Sequence, residues 1–229
     1  MNYMTNFITS SIGQKFFMSI TGLFLMVFLA VHLAINSLLL FGDGSLFNHA
    51  AHFMSSNPIM KVLEPVLAIG FILHIIYASY LTLKNQAARP LKYKVANKSK
   101  TSWASKNMYI LGGLVLVFLI IHLVNFFWKI KFGTVALISY DNGQTQLHDV
   151  YSLVAGLFKG WWWYDAIYIV GAILLFLHLT HGFWSAFQTI GWDNDKWIGR
   201  LKVMAYIYAT MIAVGFALIP IIFMTKYLV

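Results

Sequence analysis

The chain has 229 residues, of which 60% are hydrophobic, 17% aromatic and only 10% charged. A water-soluble domain of this size exposes too many positions to hide so much apolar surface, so the composition excludes an ordinary soluble or disordered protein and indicates a membrane protein. The absence of cysteine excludes disulfides, thiolate zinc sites, iron–sulfur ligation and a thiol nucleophile, which leaves eight histidines for any metal chemistry. The basic residues that give the net charge of +9 lie in short segments between apolar runs. This distribution is typical of residues that orient a membrane protein and not of nucleic-acid binding.

Five continuous apolar runs of bilayer-spanning length follow one another along the chain. A helix needs about 20 such residues to cross a hydrocarbon core of roughly 30 Å, and continuous runs favour helices over strands. The runs predict spanning helices at 16–41, 59–83, 107–128, 164–187 and 203–225. We therefore expect an all-α membrane protein with a single transmembrane domain over 1–229. The first run is too long for a cleaved signal peptide, so we expect it to remain as a span.

Basic residues are concentrated in the second and fourth connections between these runs. The second connection contains no acidic residue, whereas the fourth also holds Asp193 and Asp195. The basic residues are Lys84, Arg89, Lys92, Lys94, Lys98, Lys100 and Lys106 in the second connection, and Lys196, Arg200 and Lys202 in the fourth. The positive-inside rule predicts that both connections, and with them the N-terminus, face the cytoplasm. The long outer connection 129–163 is predicted to form a cap over the bundle.

Four of the predicted spans each carry a histidine well inside the apolar run: His32, His74, His122 and His178. An ionisable group at membrane depth is costly, so an intramembrane histidine indicates a functional site. Counted at 1.5 Å per residue from the basic helix ends, His32 and His122 lie roughly 25 Å deep, and His74 and His178 roughly 15 Å. We therefore expect two level pairs, one across the first and third spans and one across the second and fourth.

Two neutral imidazoles at one height in an apolar slot are the axial ligands that a b-type haem requires. The sequence thus predicts an inner haem on His74 and His178 and an outer haem on His32 and His122, with levels about 10 Å apart. A closed zinc site needs four ligands around one ion, which two separate depths do not offer. His181 is an alternative to His178, although it lies closer to the cytoplasmic edge.

Weaker candidates surround these pairs. Gly70, Gly171 and Gly182 fall on or near the histidine-bearing faces, where the missing side chain would leave room for a porphyrin, although plain helix packing is the alternative. His49 and His52 lie in the first outer connection, where proton transfer or a place beside a quinone competes with an ordinary solvated role.

The order of the four histidines, with His32-Leu-Ala-Ile-Asn36 in the first span and His178-Leu-Thr-His-Gly182 in the fourth, resembles a known family. This is the di-haem cytochrome b membrane-anchor subunit of succinate dehydrogenase and fumarate reductase. Ser11-Ile-Gly-Gln-Lys-Phe before the first span also fits the single-chain, five-helix members. The resemblance implies an enzyme complex of the bacterial cytoplasmic membrane, with a flavoprotein and an iron–sulfur subunit on the cytoplasmic face that carry the dicarboxylate chemistry. Electrons would pass to the inner haem, the outer haem and a quinone, typically menaquinone.

Two other classes of protein compete with this interpretation. A di-haem anchor of a hydrogenase or formate dehydrogenase would share the haems but dock a periplasmic partner, and the basic inner connections favour cytoplasmic docking. A haem-free transporter would use the histidines as ligands or proton carriers. We expect no acidic residue within the spans apart from Glu64 near a helix end, which argues against a cation path.

Overall fold

The computed structural model describes residues 9–88, 102–192 and 194–227. Its helices are α1 Ser11–Ser37, α2 Ser45–Ser56, α3 Pro58–Ala87, α4 Trp103–Lys106, α5 Met108–His122, α6 Trp128–Phe132, α7 Val150–Gly160, α8 Trp162–Thr189 and α9 Asp195–Tyr227. Two short antiparallel strands, β1 Leu137–Tyr140 and β2 Thr145–His148, form a hairpin. In the described part of the chain, α1, α3, α5 with α6, α8 and α9 are long and apolar enough to cross a membrane. The expected all-α membrane fold with five spanning helices is confirmed.

The first and last spanning helices begin earlier than the apolar runs predict. Helix α1 begins at Ser11 because the hydroxyl of Ser10 accepts a hydrogen bond from the Gly13 amide at 3.0 Å and so caps the helix. Helix α9 begins at Asp195, eight residues before the predicted apolar run, because a helix can extend beyond its apolar stretch into polar sequence. The cytoplasmic orientation of the N-terminus stays a prediction. Part of its basis lies outside the described residues: Arg89, Lys92, Lys94, Lys98, Lys100 and Asp193.

Helix α9, which carries no histidine, is the packing helix of the bundle. Ala205, Ala209 and Ile212 on its inner face are fully buried, and small residues such as the two alanines let neighbouring membrane helices approach closely. The Tyr208 hydroxyl of α9 donates to the Met26 carbonyl of α1 at 2.5 Å. These contacts hold α9 against the helices that carry the histidines.

The third span is interrupted by a π-helical turn at Leu123–Phe127, directly after His122. The turn places the buried side chain of Asn125 so that its amide donates to the Tyr168 hydroxyl of α8 at 3.2 Å. Single π turns of this kind are frequent at functional sites. The local distortion therefore adjoins one of the intramembrane histidines.

The predicted outer connection holds the hairpin and α7, and α2 packs with them into a cap. Asn48 of α2 is 1% exposed and connects α2 to the hairpin and to the start of α7. Its amide nitrogen donates to the Tyr140 hydroxyl at 2.9 Å and to Asp149 Oδ1 at 3.1 Å, and its Oδ1 accepts from the Tyr151 amide at 2.8 Å. An apolar cluster then fixes the cap to the bundle: Leu39, Phe47, Val150, Val154, Ala155, Phe158, Tyr168, Ile219 and Phe223.

Asp149 gives the cap a pH-dependent stability. Partial burial acts to raise the pKa of this carboxyl, but hydrogen bonds from Ser152 and Asn48 outweigh it and hold the pKa below its usual value of 3.8. Because the folded pKa is depressed, the carboxylate stabilises the fold above the pKa of the unfolded chain, and this contribution is lost as pH falls through the folded pKa. We expect Asp149→Ala to lower the free energy of unfolding by about 1 kcal/mol at pH 7, since it removes a helix N-cap.

Thermal unfolding of the solubilised protein at pH 7 and at pH 3 measures this effect. The difference between wild type and Asp149→Ala should shrink at pH 3, because this contribution begins to be lost once pH falls below the pKa of the unfolded chain. Asp149→Asn is the matched control, because asparagine also caps helices. A difference that stays the same at both pH values would contradict the assignment.

Candidate functional site

Two pairs of histidine rings lie inside the helix bundle. His32 of α1 faces His122 at the end of α5, with ring centroids 5.8 Å apart and ring planes at 87°. His74 of α3 faces His178 of α8, with centroids 6.3 Å apart and planes at 73°. These are the pairs that counting residues along the helices predicts, and each joins two helices of the same direction.

The spacing of each pair fits one metal ion held between two imidazoles. A bond between an imidazole nitrogen and a metal is about 2 Å long, so two rings bound to the same ion have centroids roughly 6 Å apart. No group of three or more histidine, cysteine, aspartate or glutamate side chains converges anywhere in the described ranges. Two protein ligands suffice for haem iron, because the porphyrin supplies the other four. The donor set therefore fits two haems with bis-histidine ligation.

Aromatic side chains enclose the outer pair. The Phe28 ring stacks on His32 with centroids 5.2 Å apart, and Phe216 lies 5.6 Å from the same ring. Phe126 and Tyr168 lie 5.3 and 6.2 Å from the His122 ring. The outer pair thus lies in a wall of aromatic rings from α1, α8, α9 and the π turn.

The inner pair is flanked by two glycines that the sequence analysis did not single out. A Cβ added at Gly22 would lie 3.5 Å from the His74 ring, and one added at Gly112 would lie 3.5 Å from the His178 ring. Gly22 and Gly112 thus place the backbones of α1 and α5 directly against the two inner rings. Thr21, next to Gly22, has its hydroxyl oxygen 3.5 Å from His74 Nδ1.

A repeated spacing in the sequence could have revealed these glycines. Gly22 precedes His32 by ten residues, and Gly112 precedes His122 by the same number. Ten residues correspond to about 15 Å of helix rise, somewhat more than the separation of about 10 Å predicted for the two histidine levels. In both α1 and α5, the helix that bears an outer histidine therefore offers a glycine to an inner one.

The glycines that the sequence did suggest pack against side chains of this chain. A Cβ at Gly70 would lie 2.9 Å from the Phe24 ring, and one at Gly171 would overlap the Phe118 ring. At Gly182 a Cβ would lie 3.5 Å from a methionine methyl group. Phe118 in turn contacts the outer histidine pair, so Gly171 helps to form its wall. A role for the three glycines beside a porphyrin stays a prediction.

The remaining candidate histidines lie apart from the two pairs. The His181 ring packs edge-on against Trp184 at 4.9 Å, so His178 is the residue that faces His74. His49 and His52 are exposed on α2. His49 Nδ1 donates to the Ser45 carbonyl at 2.9 Å, within the cap. Their part in proton transfer or quinone binding stays a prediction.

The expectation that no acidic residue lies within the spans apart from Glu64 is wrong. Asp165 lies in the first turn of α8 and is only 2% exposed. Its two carboxylate oxygens have no hydrogen-bond partner among the described residues. Helix α8 begins at Trp162 and turns Asp165 toward the protein interior, so protein and not lipid covers the carboxylate. Glu64, by contrast, pairs with Lys131 Nζ at 2.8 Å on the surface.

Five apolar helices that enclose two histidine pairs define a multi-pass α-helical membrane protein. The chain is 28% identical over 170 residues to the succinate dehydrogenase cytochrome b558 subunit of Bacillus subtilis (strain 168), and the alignment covers 72% of each chain. No family model matches the chain, and no solved structure matches it. The five helices and this relative together assign the chain to the bacterial cytoplasmic membrane.

Proposed function

We propose that this chain is the di-haem cytochrome b subunit of a succinate dehydrogenase or fumarate reductase. In this role it anchors the enzyme complex to the membrane and passes electrons between the iron–sulfur subunit and a membrane quinone, typically menaquinone. The observation that carries the proposal is the meeting of four intramembrane histidines in two pairs with centroids 5.8 and 6.3 Å apart. The relative named as a cytochrome b558 subunit supports it independently.

The histidine pairs would hold one b haem each, and the haems supply one-electron transfer when bound. Each ring would offer one nitrogen to iron and keep its proton on the other, where a hydrogen-bond acceptor can fix the orientation of the ring. His74 Nδ1 lies 3.5 Å from the Thr21 hydroxyl oxygen, which can accept that proton. Partners of this kind hold a ligating ring in position and tune its basicity. Thr21 is therefore a positioning residue in the proposed inner site.

The proposed orientation places the partner subunits. With the N-terminus in the cytoplasm, the His74–His178 pair lies nearer the flavoprotein and iron–sulfur subunits, and the His32–His122 pair lies nearer the outer face. The quinone would accept or donate electrons on that outer side. His49 and His52, exposed on α2 of the cap, are the candidates for proton transfer there.

Reduced-minus-oxidised spectra of the purified complex, with haem quantified against protein, test the proposal. We expect two low-spin b haems per chain and their reduction by succinate. Co-purification should yield a flavoprotein and an iron–sulfur subunit. A preparation that folds but contains no haem would overturn the proposal, and reduction by hydrogen or formate in place of succinate would point to the other di-haem anchors.

A further inference from the structure

A cavity of about 560 Å³ opens between α4, α8 and α9, near the ends of these helices that carry basic residues. Its walls run along two of the spanning helices. On α8 they extend from Trp184 to Phe176, eight residues or about 12 Å deeper, and on α9 from Lys202 to Tyr206. Ser102 and Ser105 close the basic end. The cavity therefore has a polar mouth and an apolar interior.

This cavity is separate from the histidine pairs. Successive residues of an α-helix are rotated by about 100°, so Phe176 and Thr180 each stand about 200° around α8 from His178. The face of α8 that lines the cavity thus points away from the face that meets His74. The Thr180 hydroxyl donates to the Leu177 carbonyl at 2.9 Å, which keeps this wall free of an unsatisfied donor.

A lysine ammonium group is held at the mouth. Lys202 Nζ lies 5.0 Å from the centroid of the Trp184 ring, within the range of a cation–π interaction. Ser102 and Ser105 line the same cavity, and the Ser102 hydroxyl oxygen accepts a hydrogen bond from the Ser105 amide at 3.2 Å. A cation and hydroxyl groups at one end of an apolar wall suit a ligand with an anionic head and a hydrocarbon tail.

We propose that this cavity binds an anionic phospholipid, with its phosphate at Lys202 and the two serines and an acyl chain along Phe176, Leu177 and Tyr206. Basic pockets between spanning helices bind anionic lipid headgroups in this way. Free phosphate would use the cation but leave the apolar wall empty, and a quinone would use the wall but provide no anion for Lys202. The site does not depend on the proposed electron transfer; only its assignment to the cytoplasmic leaflet rests on the proposed orientation.

Lipid retention by the intact purified complex tests this inference. Wild type, Lys202→Gln and Lys196→Gln are washed in detergent, supplied with phosphatidylglycerol, phosphatidylcholine, inorganic phosphate or menaquinone, and examined by native mass spectrometry. Lys196 is the matched control, since it lies on the same helix end but does not line the cavity. We expect wild type to retain phosphatidylglycerol, Lys202→Gln to retain about fivefold less, and Lys196→Gln to retain the wild-type amount.

A second variant separates the apolar wall from the charge. Ala104→Phe narrows the cavity while leaving Lys202 in place, so it should also retain less phosphatidylglycerol. Elution of each variant as a monodisperse complex reports that the bundle is folded. Equal retention by Lys202→Gln and Lys196→Gln, equal binding of phosphatidylcholine and phosphatidylglycerol, or displacement of the lipid by phosphate would overturn the inference. Menaquinone that Lys202→Gln alone fails to retain would overturn it in favour of a quinone site.

Discussion

Replacing His178 with alanine will halve the haem content of the chain, whereas replacing His181, three residues further along the same helix, will leave both haems in place. The His178 ring faces His74 at 6.3 Å, while the His181 ring packs against Trp184. If each pair holds one haem, as proposed, loss of one of its two histidine ligands should release that haem. Pyridine haemochrome assays against protein concentration measure the ratio, which should fall from two to one.

Variants of the other histidines test whether the two residues of each pair act on the same haem. His74→Ala should remove the same haem as His178→Ala, and the double variant should lose no more than either single one. His32→Ala should remove the other haem and leave a different reduced spectrum. If His74→Ala and His178→Ala leave different haems, or if His181→Ala behaves as His178→Ala does, the assignment of the pairs is wrong. Elution as a monodisperse complex shows that each variant is folded.

Gly44→Ala will destabilise the cap far more than Gly42→Ala, although both glycines have positive φ. Gly44 has φ +91° at the N-cap of α2, and a Cβ there would overlap the Tyr151 ring. Gly42 has φ +68°, and among the described residues no atom lies within 4 Å of an added Cβ. The left-handed backbone costs an alanine about 1–2 kcal/mol and overpacking a further 1–3 kcal/mol or so. We therefore expect a loss of about 3 kcal/mol for Gly44→Ala and about 1 kcal/mol for Gly42→Ala.

Thermal unfolding followed by tryptophan fluorescence compares the two variants. Removing the Tyr151 ring supplies a further control: in a Tyr151→Ala background, Gly44→Ala should cost no more than Gly42→Ala does in wild type. This double-mutant comparison isolates the steric part of the effect. An undiminished cost in that background would show that the backbone conformation alone is responsible.

The arrangement of the histidine pairs could be predicted from the sequence because a helix has a constant rise. The number of residues between each histidine and the basic end of its helix fixes the depth of that histidine in the membrane. Only side chains at the same depth can contact each other, which pairs His32 with His122 and His74 with His178. The five spanning helices likewise follow from apolar length. Neither inference needs knowledge of how the helices are rotated about their axes.

Features that depend on the rotation of a helix about its axis, or on contacts between residues far apart in the chain, could not be predicted from the sequence. Gly70 and Gly22 both lie on histidine-bearing helices, but only packing shows that Gly22 adjoins a histidine ring and Gly70 a phenylalanine. The burial of Asp165 depends on the turn at which α8 begins. Asn48 bonds to Asp149 across 101 positions of the chain, a pairing that no local pattern indicates.

The π turn at Leu123–Phe127 changes the direction in which side chains point along the third span. Such a turn contains one residue more than an α turn, so everything beyond it is rotated by about 100° relative to an uninterrupted helix. His122 before the turn points at α1, while Lys131 after it reaches Glu64 of α3 at 2.8 Å. The extra residue thus lets a single span present His122 to α1 on one side of the turn and Lys131 to α3 on the other.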